Sequence, residues 1–125
     1  MKKLFLFFLP ALWAFSCDRN QVVCTMELRM ITVHVKNTNG NPAVLDSSYT
    51  LRTATNEKIR PEQHGSHGAY VVLDDSYHPV LKRREEHFRF IGWKNNTIVV
   101  DLPYTIAGDD CHIGKVAGAD SVTIQ

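Results

Sequence analysis

Ile98-Val99-Val100-Asp101-Leu102-Pro103-Tyr104-Thr105-Ile106 is the longest run of the chain with an apolar residue at every second position. Ile98, Val100, Leu102, Tyr104 and Ile106 fall on one side of an extended backbone, and Asp101, Pro103 and Thr105 on the other. A period of two predicts a β-strand with one face in a core. Just before it, Lys94-Asn95-Asn96 reads as a hairpin turn, and Phe88-Arg89-Phe90 as the partner strand. Tyr49 to Thr53, Ala69 to Leu73 and Val122 to Ile124 give three more short strands. Between strands, Asn37-Thr38-Asn39-Gly40-Asn41-Pro42 is turn material, and Asn39-Gly40 tolerates the positive φ of a tight reversal.

Cys24 to Val35 alternates with a fault. Met26, Leu28 and Met30 are in phase with one another, and Ile31, Val33 and Val35 are in the opposite phase. Such a slip predicts a bulge, or a strand that leaves one sheet for the other. Val80 to His87 (VLKRREEH) has the best helix propensity in the chain, and reads as a short helix or a long charged hairpin loop. Six or seven short strands in about 100 residues predict an all-β fold, a small two-sheet sandwich. Tyr49, Tyr70, Phe88, Phe90, Leu102 and Tyr104 are the large residues expected to fill its core.

The first sixteen residues belong to a different pattern. Lys2-Lys3 is followed by the apolar stretch Leu4 to Phe15, interrupted by Pro10. Spanning a bilayer takes roughly 20 apolar residues, so a stretch this short reads as a secretory signal peptide over residues 1–16. Without those residues the charge balance moves from 14 Lys and Arg against 13 Asp and Glu to 12 against 13. Neither balance makes a basic nucleic-acid surface. The length excludes a multidomain enzyme, and 44% apolar residues exclude a disordered tail.

Ala14-Phe15-Ser16-Cys17 resembles the lipobox of bacterial lipoproteins. The resemblance implies that Cys17 becomes the first residue after cleavage and carries acyl chains, with residues 17–23 as a tether and 24–125 as the sandwich. Ala14 and Ser16 also satisfy ordinary secretory cleavage, which leaves Cys17 unacylated. The chain has three cysteines, Cys17, Cys24 and Cys111. If Cys17 carries lipid, Cys24 and Cys111 pair as one disulfide with no thiol left over. That bridge would close nearly the whole domain.

Val33-x-Val35-x-Asn37-x-Asn39-Gly40-x-Pro42-x-Val44 resembles the opening of carboxypeptidase-regulatory-like and transthyretin-like domains, which are Ig-like sandwiches of about seven strands. Asp110-Cys111-His112-x-x-Lys115-Val116-x-Gly118 looks like the C-terminal segment of small Gram-negative lipoproteins. The resemblance implies a sandwich in the cell envelope, on the inner or the outer membrane. It implies no shared catalytic residue and no cofactor.

Several groups could carry chemistry, each with a plainer reading. Glu62-x-His64-x-x-His67 offers imidazole and carboxylate for zinc, copper or nickel, but the spacing of His64 and His67 is not the i, i+4 of two ligands on a helix, nor does it alternate as on a strand, and it fits a solvated loop better. Asp74-Asp75 and Asp109-Asp110 suit calcium or simple strand-end turns. Tyr77 and Trp93 could form an aromatic platform for a glycan or peptide, or edge a core. His112 beside Cys111 would activate a free thiol, but a disulfide removes that role. No Ser-His-Asp order stands out. The reading is a non-catalytic, lipid-anchored binding or structural module with an envelope protein, peptide or glycan as partner. A periplasmic inhibitor similar to lysozyme inhibitors is the alternative, using residues 55–68 or 82–86 as an inserting loop. A metal-dependent hydrolase is the third.

Overall fold

The computed structural model describes residues 21–61 and 66–125. Residues 1–16, where a signal peptide is expected, Cys17, and two of the three loop metal candidates, Glu62 and His64, lie outside the described residues. The elements are β1 (Met30–Asn37), β2 (Ser47–Arg52), β3 (Glu57–Ile59), β4 (Ala69–Asp74), a 3-10 turn (Asp75–Tyr77), α1 (His78–Leu81), β5 (Glu85–Lys94), β6 (Thr97–Gly108), β7 (Ile113–Ala117) and β8 (Ser121–Ile124). They form a three-stranded sheet, β4-β1-β8, and a five-stranded sheet, β3-β2-β5-β6-β7. Both sheets contribute to one core, with Val33, Val35 and Leu73 from the first and Phe88, Phe90, Tyr104 and Ile106 from the second. The all-β expectation therefore holds, with one disulfide, Cys24–Cys111. β3 and β7 were not foreseen. Glu57-Lys58-Ile59 and Ile113-Gly114-Lys115-Val116-Ala117 are short and each sends one side chain toward the core, Ile59 in part and Ile113 fully, so neither shows alternation.

The long run behaves as predicted over most of its length. Val100, Tyr104 and Ile106 are buried, and Leu102 is half-buried. Ile98 is not in the core; it is 46% exposed. Gly92 pairs with Val100 and Trp93 with Ile98, so Val99 is an extra residue, a β-bulge. The bulge reverses the phase, and Val99 packs against the core in place of Ile98. Asn95 and Asn96 at the preceding turn both have positive φ, at 50° and 58°, as a two-residue hairpin loop requires.

The phase fault at Met30-Ile31 is neither a bulge in this strand nor a change of sheet. β1 begins at Met30, and only Ile31, Val33 and Val35 face the core. The irregularity in the β1–β4 pairing falls on β4, where Val72 is the extra residue between the partners of Ile31 and Thr32. The change of sheet lies at the far end of the chain instead. β7 pairs antiparallel with β6, and after Gly118-Ala119-Asp120 the chain continues as β8, parallel to β1. Gly118 has φ +141°, and a Cβ there would run into the Tyr104 ring. The Tyr104 hydroxyl donates to the Ala119 carbonyl at 2.5 Å, and the His34 N–H donates to the Asp120 carbonyl at 2.9 Å. These contacts fix the crossing. Ahead of His34, no strand among the described residues pairs with β1 on its β8 side, and an open cleft of about 490 Å³ separates it from β7.

Two further expectations change. Tyr49 is only half-buried, and Thr50 is fully buried in its place, its hydroxyl donating to the Val72 carbonyl at 2.5 Å. That bond ties β2 to β4 across the core. Val80 to His87 is neither wholly helix nor wholly loop: α1 ends at Leu81 and β5 begins at Glu85. Pro79 sits at the start of α1, where it costs no hydrogen bond, and Leu81 is fully buried. Arg83 donates its N–H to the Gly108 carbonyl, and the Gly108 N–H donates to Arg84, so the strand end pulls the segment out of helix.

Candidate functional site

One end of the sandwich carries the densest set of long-range polar contacts. It is built from residues 24–29, the turn after β4, and the β6–β7 loop. Cys24 is bridged to Cys111, with Cα atoms 5.3 Å apart. Thr25 and His112 each directly follow a bridged cysteine, so the bridge sets them side by side. Thr25 Oγ1 lies 3.1 Å from His112 Nε2, and His112 Nδ1 lies 2.7 Å from Asp75 Oδ2. Asp75 also accepts the Arg29 N–H at 2.8 Å and the Ile113 N–H at 2.8 Å. In return the Asp75 N–H donates to the Arg29 carbonyl at 3.0 Å. Among the described residues no buried side-chain nitrogen or oxygen lacks a hydrogen-bond partner.

The electrostatics follow from this packing. Burial opposes the charge on Asp75, but the N–H groups of Arg29 and Ile113 and the His112 ring outweigh it. They hold the Asp75 carboxyl below its ordinary range. Asp109 accepts the N–H groups of His112 and Cys111, each at 2.7 Å, and these keep its carboxyl low as well. Asp110 is held low chiefly by its hydrogen bond from Arg83 at 2.5 Å. All these acids are thus spent on the loop itself. Asp74 accepts the Ser76 N–H at 2.9 Å and Asp109 those of Cys111 and His112, so both acidic pairs form strand-end turns; among the described residues no group of three or more His, Cys, Asp or Glu is placed to hold a metal ion.

Hydroxyl, imidazole and carboxylate in this order are the parts of a nucleophilic triad. Here they also tie three segments of the chain together. The carboxylate is committed to two backbone donors besides the ring, and His112 is 7% exposed. The three side chains join the segment ahead of β1 to the β4 turn and the β6–β7 loop, which makes them a clamp on the N-terminal segment. The clamp escaped sequence reading because residues 25, 75 and 112 are remote in the chain. One signal was available: pairing Cys24 with Cys111 places Thr25 next to His112.

The remaining candidates are scattered. Tyr77 stands against Phe88 in a T-shaped contact at 5.9 Å and donates its hydroxyl to Glu57 at 2.8 Å. Burial first, and the Glu57 carboxylate second, push its phenol up to about 12. Trp93 is five residues farther along β5 than Phe88, or about 17 Å. The two rings therefore form no common platform. Trp93 instead shares a shallow hollow of about 310 Å³ with Tyr49, Lys58, Arg60 and Asp46, and the Lys58 ammonium sits 5.0 Å from the centre of the Tyr49 ring. His67 is exposed with φ 55° at the turn before β4. No protein-family model, no curated protein and no solved structure matches this chain.

Proposed function

We propose that this protein is a lipid-anchored module of the Gram-negative cell envelope, a binding or structural β-sandwich with no catalytic role. One observation carries the reading. The bridge joins Cys24 to Cys111, and of the three cysteines in the sequence Cys17 is the one outside that pair. A disulfide belongs to an oxidising compartment, which agrees with export. The lipobox-like sequence before Cys17 gives that cysteine an acyl role. The clamp gives the anchor a fixed point of attachment, because the chain enters the domain only seven residues after Cys17.

The resemblance of Val33 to Val44 to transthyretin-like domains supports a sandwich used for binding rather than catalysis. The hollow beside Trp93 and Tyr49 is the surface best suited to a glycan or peptide, with two flat rings and two cations. Intact-mass analysis of the membrane fraction tests the anchor. Acyl mass on Cys17 is the expected result, and an unmodified Cys17 with a free thiol overturns it.

A further inference from the structure

Eight large apolar side chains are markedly exposed among the described residues, and five of them lie within residues 22–30. Val22 is 59% exposed, Val23 89%, Met26 104%, Leu28 49% and Met30 45%. A flexible segment would be free to tuck such side chains away. From Cys24 onward this one is held by the Cys24–Cys111 bridge, by Thr25 on His112, and by both main-chain groups of Arg29 on the Asp75 residue, and Val22 and Val23 directly precede the bridge. The fold thus keeps an apolar strip facing water, which costs free energy unless something covers it.

The chain itself limits what that cover is. From Cys17 to Val22 there are five residues, which reach at most about 18 Å when fully extended. An acyl-anchored Cys17 lies at the surface of a bilayer, so Val22 and Val23 stay within that reach of the acyl–headgroup boundary. We infer that residues 22–30 form a membrane-contacting strip, which lays this end of the sandwich on the lipid surface. The inference rests on the anchor proposed above. Acids and bases are mixed around the strip: Glu27, Asp109 and Asp110 stand near Arg29, Arg83 and Lys115. The contact is therefore apolar in character and does not depend on anionic headgroups. It also orients the domain, since the hairpin at Asn95-Asn96 and the hollow beside Trp93 then lie at the opposite end, away from the lipid.

After cleavage at Ser16-Cys17, Met26 and Met30 are the methionines that remain. The full chain is produced with its leader and with a diazirine analogue of methionine. It is purified, reconstituted into phosphatidylethanolamine–phosphatidylglycerol vesicles, and irradiated. Intact mass reports acylation on the same sample, and peptide mass reports the adducts. Lipid adducts at both positions are expected, and about tenfold fewer in a Val23→Glu, Leu28→Glu variant. The yield should be the same with phosphatidylethanolamine–phosphatidylcholine vesicles. Acyl mass without lipid adducts overturns the strip and leaves the anchor. Adducts between two copies of the chain overturn it too, in favour of a dimer contact. Lipid adducts without acyl mass keep the strip and remove the anchor.

Discussion

The two ends of this sandwich are made in different ways. At one end the chain reverses through local turns. The Gly40 N–H donates to Asn37 and the Asn41 N–H to the Asn39 side chain; at Asn95-Asn96 two positive φ angles close the β5–β6 hairpin. At the other end the contacts that hold the N-terminal segment join residues far apart in sequence: Cys24 with Cys111, Thr25 with His112, Arg29 with Asp75, and through Asp75 to Ile113. The first end folds wherever its strands pair. The second exists only when the whole chain is in place, so its stability depends on the bridge and on buried polar partners.

That difference can be broken in order of size. Replacing both bridged cysteines, Cys24→Ser with Cys111→Ser, should have the largest effect, a loss of about 2–5 kcal/mol in denaturant unfolding. The loop it opens spans 87 residues of sequence. Amide exchange should accelerate first in residues 24–29, while the Asn95-Asn96 hairpin keeps its protection. A uniform acceleration would mean that the two ends are one cooperative unit.

Asp75→Ala should come next, at about 2–3 kcal/mol, because it strands the N–H groups of Arg29 and Ile113. The pH dependence has a definite sign. The folded carboxyl of Asp75 titrates below its unfolded value of 3.8, so its contribution is complete above that value. It is lost as pH falls through the lower folded value. Acid unfolding followed by circular dichroism should therefore be steeper below about pH 4 in the native chain than in Asp75→Asn. Equal slopes would show that Asp75 does not gain from the fold.

Thr25→Ala removes one hydrogen bond at the rim of the clamp and should cost about 0.5–1.5 kcal/mol in the same unfolding assay. The smallest effect belongs to the opposite end. Ile98→Thr should change stability by less than about 0.5 kcal/mol, since the side chain lies in solvent beyond the Val99 bulge. A loss of about 2 kcal/mol there would return Ile98 to the core and contradict the bulge.

The same contrast separates what was legible from what was not. Phe88, Phe90, Tyr104 and Ile106 were readable as core because alternation is a local property of an extended chain. Ile98 was misread because a bulge is set by the partner strand, and Gly92 carries no mark of it. Met26 and Leu28 looked like the start of a strand because they alternate with Glu27 and Arg29. They lie outside β1, kept out of the core by a clamp that alternation does not encode.

The sequence by itself determined the strand-rich character and the turns at Asn39-Gly40 and Asn95-Asn96, and its count of three cysteines, with Cys17 set aside for lipid, pointed to the Cys24–Cys111 pair that the structure shows. These follow from φ preferences, side-chain period and thiol chemistry, all carried by neighbouring residues or a simple count. Only the tertiary structure decided the crossing from β7 to β8 at Gly118, the burial of Thr50 in place of Tyr49, and the Thr25–His112–Asp75 clamp. Each depends on a partner from a distant part of the chain. Gly118 is required by the Tyr104 ring, Thr50 by the Val72 carbonyl, and His112 by a carboxylate 37 residues away.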